Sequence, residues 1–436
     1  MIMERSILQD LLKWKQSERR KPLILNGARQ VGKTWVLKHF GEVAYKNVAY
    51  INCDREPRMS NLFTDFDVQR ILKAIEVITQ VPVDAGQTLI IIDEVQEVPR
   101  AIQALKYFCE DAPDQHIAVA GSLLGIMLHE GISFPVGKVN TMQMYPLSFA
   151  EFLKATGKES FAKVLKEKDW PTAAVVHEQL LDCLRHYFYV GGMPEIVQAY
   201  IDGEPMWTIR DMQKEILDNY IQDIGKHAPP REVMRISMVF KSIPGQMSKE
   251  NKKFIYGVVK EGARAREFEI ALQWLCDAGL VYKVNRVSKP EVPLQYYEDF
   301  SAFKLFALDC GLLGAMSNTS ADSVLIGDGV FEEYQGAFTE QYVLQELKTI
   351  RELPVFYFSK ENSRQEIDFL VQCGQQVIPI EAKSGKNLQS KSFGSFCKEH
   401  NPEVAVKTSL LPFRQNNTVT NLPLYAVRAW FDGKEQ

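Results

Sequence analysis

Eight residues constrain this chain more than any other stretch: Gly27-Ala28-Arg29-Gln30-Val31-Gly32-Lys33-Thr34. They satisfy G-x-x-x-x-G-K-[ST] at every fixed position, between the apolar run Leu23-Ile24-Leu25 and a stretch of helical character. The glycines let the backbone curl so that successive N–H groups point at phosphate oxygens, and the following helix adds its positive N-terminal end. The pattern predicts a cradle for the phosphates of ATP. Lys33 is assigned to the β- and γ-phosphates and Thr34 to Mg2+.

Such a loop works where a strand ends and a helix begins, so the surrounding fold is expected to be α/β. Three more apolar runs, Val48–Asn52, Leu89–Ile92 and Ile117–Ala120, alternate with helical patterns. Continuous apolar strands separated by helices predict a parallel sheet covered on both faces. Asp93-Glu94 closes the third run. Asp93 is expected to hold magnesium, and Glu94 to act as the base that polarises the attacking water. Acidic residues also cap helix starts, but two motifs in the right order, each with its strand, favour the nucleotide site. Ser122, after Ala120-Gly121, is read either as a sensor of the γ-phosphate or as a turn residue. Arg100 and Lys138 are read as cations able to act in trans, or as ordinary solvated charges.

Charge and cysteine usage narrow the partners. The formal net charge is -4, which does not suggest a chain that binds nucleic acid over its whole surface. Residues 226–291, however, carry 13 Lys and Arg against 7 Asp and Glu. There, helical patterns lead into the strand-like Gly279–Val284, as in a winged helix that contacts DNA or RNA. A solvated or interdomain face is the alternative. Phe254, Tyr256, Phe268 and Trp274 are expected in its core. The seven cysteines include no C-x-x-C pair, so reduced thiols in a cytoplasmic protein are expected. No secretory signal and no membrane-spanning run is read.

A second constellation lies near the C-terminus. Glu340 falls on a helix, Asp368 on the strand Glu366–Val371, and Glu381-Ala382-Lys383 at the end of the next strand. Residues two apart on a strand share a face, so Glu381 and Lys383 point the same way. If Asp368 and Glu340 meet them, the set suits a second Mg2+ or Mn2+ and the cleavage of phosphodiesters. A surface ion pair with Asp368 unrelated is the alternative.

Taken together, the chain resembles the bacterial and archaeal AAA-type P-loop ATPases that carry an uncharacterised C-terminal region. The matching residues are Gly27–Thr34, Ile90–Gln96, Ala120–Gly125, Tyr145–Phe152, Gly191–Glu195, Tyr220–Ile224, Phe306–Leu312 and the Glu340 to Lys383 set. The resemblance implies an AAA-like domain over 1–155, a helical lid over 156–230, a winged-helix-like domain over 231–300, and a domain similar to PD-(D/E)XK nucleases over 301–436. Glu340, Asp368, Glu381 and Lys383 match that nuclease signature. One departure is Gly137-Lys138, where related sequences read Gly-Arg and lysine lacks the planar fork. The expected function is an ATP-driven switch or motor acting on nucleic acid. The alternatives are an ATP-gated nuclease, and an ATPase whose C-terminal region docks a protein partner or a second copy. A small-molecule kinase is disfavoured by the long C-terminal modules and by Asp93-Glu94.

Overall fold

Strands β1 (Leu23–Asn26), β2 (Asn47–Asn52), β3 (Thr88–Asp93), β4 (His116–Ala120) and β5 (Asn140–Gln143) pair in parallel, in the order β2-β3-β4-β1-β5. This computed structural model describes residues 3–122, 134–249, 253–321, 332–360, 365–385 and 388–434. Every residue of β3 and β4 is buried, as expected for central strands with helices on both faces. The helix Val68–Thr79 illustrates how that cover forms. Asp67 caps it by accepting from the Arg70 N–H, and Val68, Ile71, Leu72 and Ile75 bury one face at helical spacing. Those side chains pack with Ile90, Ile92, Ile117, Val119, Leu105 and Phe108 in one core. Each fully buried aliphatic side chain contributes about 1.5–3 kcal/mol. β5, with the sequence Asn-Thr-Met-Gln and alternating exposure, is a polar edge strand that the apolar runs do not announce.

The chain divides into two compact units. One comprises Glu4–Tyr145 with Asp277–Gly279, and the other Pro146–Cys276 and Leu280–Gln436 with Met1–Met3. In the second, Ser148 and Glu151 form a capping box at the helix Phe149–Ala155. The helices His177–Val190, Pro194–Ile201 and Met206–His227 follow. Then come helices Val233–Met247, Tyr256–Val259 and Ala265–Asp277, and the antiparallel hairpin β6 (Val281–Val287) and β7 (Glu298–Ala307). Lys253 makes an antiparallel bridge to Lys304 of β7. Phe254, Phe268 and Trp274 are buried in this region and Tyr256 is half-buried.

The hairpin belongs to a larger sheet. With β8 (Val355–Ser359), β9 (Glu366–Cys373), β10 (Gln376–Ala382), β11 (Ala405–Ser409), β12 (Arg414–Asn416) and β13 (Val419–Pro423) it forms the order β12-β13-β11-β10-β9-β8-β6-β7. β7 runs continuously through residue 300, so one sheet joins stretches that the sequence presents as separate.

A buried polar hub ties the unit's helices together. The Asp309 carboxylate accepts from Gly192 N at 2.7 Å, Leu312 N at 3.1 Å and Gln345 Nε2 at 3.1 Å. Gly192 is obligatory there, since a Cβ would lie 2.1 Å from the Leu147 carbonyl oxygen.

Candidate functional site

The loop between β1 and the helix Lys33–Ala44 has the conformation its glycines require. Gly32 has φ +93° and Gln30 φ +66°, both in the left-handed region. A Cβ on Gly27 would stand 2.5 Å from the Met144 carbonyl oxygen. Lys33 is buried, and its Nζ donates to the carbonyls of Gly27 and Ala28, each at 2.8 Å. Burial lowers its pKa to about 8, against the opposing pull of Glu94 and Asp93. It therefore remains mostly an ammonium near neutral pH, held at the mouth of the loop.

Thr34 and Asp93 meet. The Thr34 hydroxyl donates to Asp93 Oδ2 at 2.7 Å, so the two oxygens expected to share a magnesium ion converge on one place. Tyr50, from β2, donates to the same Oδ2 at 3.0 Å. The sequence reading missed Tyr50; its one signal is a hydroxyl-bearing residue in the strand beside β3, opposite Ile91 in register. Glu94 follows with φ +49° and ψ +44°, a left-handed conformation uncommon for a glutamate. Gln96 Nε2 donates to Glu94 Oε2, which orients the carboxylate. Nearby, burial and then Asp93 push the Cys53 thiol up to about 12, so it stays protonated.

Ser122 lies at the end of β4, buried, and accepts from Arg29 Nε at 3.1 Å. The loop and the serine are thus hydrogen-bonded across adjacent strands. Leu123–Gly125, part of the family-like stretch, lie outside the described residues. Arg100 and Lys138, read as trans-acting cations or ordinary charges, have partners within their own unit. Arg100 donates to the carbonyls of Phe63 at 3.0 Å and Thr64 at 2.7 Å and lies over the Phe66 ring. Lys138 pairs with Glu110 at 2.8 Å.

In the second unit, the structure brings the four expected residues to one end of the sheet. Asp368 on β9 accepts from the Ala382 N–H at 2.8 Å, and Lys383 pairs with Glu381 at 2.8 Å. Glu340 comes from the helix Glu332–Lys348. Two residues join them that sequence reasoning missed: Lys304 of β7 and Glu366 of β9. The lone lysine within Ala302–Ala307, an otherwise apolar run, is the signal that points to it. Among the described residues, no group of three or more His, Cys, Asp or Glu is arranged to hold a metal ion. The Lys304 ammonium stands among the carboxylates read as able to take a second Mg2+ or Mn2+. Among the described residues, no helix is long and apolar enough to cross a membrane.

A strand–glycine loop–helix with a buried lysine, and a threonine facing the acidic end of β3, define a P-loop domain. Residues 19–153 match the family model described as AAA domain. Two further models match 181–323 and 335–427, and each is described as a domain of unknown function. An uncharacterised protein of Haemophilus influenzae is 24% identical over 213 residues, covering 46% of this chain and 45% of that protein. The chain thus spans about half the length of that curated relative. Among solved structures, a Walker-type ATPase of Pyrococcus abyssi aligns over 72% of this chain and 96% of its own, at 14% identity and a TM-score of 0.47. The RuvB Holliday junction branch migration motor of Thermotoga maritima aligns over 64% of this chain and 89% of its own, at 14% identity and a TM-score of 0.30.

Proposed function

We propose that the protein is a magnesium-dependent ATPase that works as a switch on nucleic acid. The single observation that carries the ATPase reading is the 2.7 Å approach of the Thr34 hydroxyl to the Asp93 carboxylate, beside a lysine waiting on the loop carbonyls. Thr34 and Asp93 would hold the ion, which supplies positive charge to the phosphates when bound. Lys33 exchanges its two carbonyl partners for phosphate oxygens. Glu94, oriented by Gln96, accepts a proton from the attacking water. Ser122, hydrogen-bonded to Arg29 of the loop, would act as the sensor of the γ-phosphate.

The nucleic-acid reading rests on the segment 233–307. A helix, the bridge at Lys253, two further helices and a hairpin follow one another, a succession that supports the winged-helix reading. Lys260, at the end of the second helix, and Arg264 and Arg266, at the start of the third, are exposed. The seven cysteines, with no C-x-x-C pair among them, suit a reducing cytoplasm.

The test is ATP turnover by the full chain with Mg2+, with and without DNA or RNA, for the native protein, Glu94→Gln and the double variant Arg264→Ala/Arg266→Ala. Glu94→Gln is expected to retain ATP and to lose about 10²- to 10⁴-fold in kcat. The double variant is expected to keep basal turnover and to reduce the salt slope of nucleic-acid binding by about two. Normal turnover in Glu94→Gln refutes the catalytic assignment. Glu94-dependent turnover that no nucleic acid alters or binds refutes the choice of partner and favours protein docking.

A further inference from the structure

Lys304 is a deeply buried charge of the second unit, with 1% of its side chain exposed. It lies on β7 between Phe303 and Leu305, both buried. Its ammonium stands 2.7 Å from Glu366 Oε1, 3.4 Å from Glu340 Oε2 and 4.0 Å from Asp368 Oδ1. Glu366 and Asp368 are two apart on β9 and share its face, while Glu340 reaches in from the helix Glu332–Lys348. The Tyr357 ring lies 5.1 Å from the same ammonium. Just outside, Lys383 holds Glu381.

Burial alone would drive a proton off this lysine. The charges of Glu340, Glu366 and Asp368 outweigh it and hold the ammonium above its usual range. A divalent ion would need carboxylate oxygens at roughly 2.0–2.6 Å around one point. Here that point is filled by a nitrogen on a fixed strand, and the residues present do not fit the metal that a nuclease-like domain implies.

We infer that Lys304 is the resident cation of this carboxylate cluster, a tethered ammonium that clamps the β6–β7 hairpin to β9 and to the helix Glu332–Lys348 in place of a hydrolytic metal. The inference is independent of the ATPase reading, since it concerns the other unit. It gives the cluster a structural role, which is to join the hairpin of the winged-helix-like segment to the C-terminal sheet.

Two measurements on the full chain test it. The first is Mn2+ titration without nucleotide, followed by electron paramagnetic resonance. Native protein and Asp368→Asn are expected to take up the same number of ions. Uptake by the native protein that Asp368→Asn abolishes overturns the inference. The second is thermal melting. Lys304→Met strands three largely buried carboxylates and is expected to lower Tm by roughly 5–10 °C. Adding Glu366→Gln removes the nearest of them and is expected to restore at least half of that loss. A double variant no more stable than Lys304→Met overturns the compensation. Should Lys304→Met fail to accumulate, recovery of soluble protein in the double variant supports the inference and continued insolubility overturns it.

Discussion

Glu346 is a buried carboxyl whose replacement by glutamine should stabilise the protein, and only above a definable pH. Its side chain is 2% exposed and accepts from the Phe149 N–H at 2.8 Å. Burial pushes its pKa up from 4.5 to about 7; the Phe149 N–H and Arg428 oppose the rise and Glu151 adds to it. In the unfolded chain the carboxyl has its ordinary value. Between the two values the folded state binds more proton, so stability falls as pH rises. The group's contribution is fully present below about pH 4.5 and is lost as pH passes through about 7. A shift of that size corresponds to roughly 3 kcal/mol at the alkaline end. Glu346→Gln keeps an acceptor for Phe149 and has no proton to lose. Urea unfolding of both proteins across this range is the assay. The variant is expected to match the native chain at about pH 4.5 and to exceed it by about 1 kcal/mol or more, and up to roughly 3, at about pH 8.5. A stability difference that stays constant with pH would refute the reasoning, because it would mean that Glu346 is ionised in the folded state throughout.

Tyr50→Phe removes one of the two hydroxyls that hold Asp93, each worth about 1.5 kcal/mol as a hydrogen bond to a charged group. The KM for Mg·ATP is expected to rise by roughly three- to tenfold with kcat little changed; an unaltered KM in steady-state kinetics refutes a positioning role. Gly192→Ala is expected to abolish soluble folding of the second unit, because its Cβ meets the Leu147 carbonyl, whereas Gly203→Ala faces open space and costs about 1–2 kcal/mol for its positive φ. Comparable thermal stability of the two variants would refute that account.

Much of the first unit is written in local chemistry. β1, β3 and β4 are apolar runs because both their faces are covered, and the loop after β1 needs glycine, lysine and threonine in adjacent positions. β5 and β12 escape notice for the opposite reason: they are short, polar and partly wet, so nothing in their composition separates them from loops. Tyr50 was invisible because its partner lies 43 residues away and depends on the order of strands. The four C-terminal candidates were legible as types and as neighbours. Lys304 was not legible beside them, because its burial among carboxylates arises only when β7 joins a sheet with β9. The tie between Asp309 and Gly192 is likewise a product of packing, with 117 residues between its partners.

Glu94 sits where the backbone favours glycine. A glycine there would relieve about 1 kcal/mol of backbone strain while deleting the carboxylate. Under the role proposed for Glu94, durability and turnover therefore pull in opposite directions at one codon. Any laboratory selection that rewards only survival at high temperature should enrich inactive chains at this position, so heat-hardened variants of this protein need an activity counter-screen.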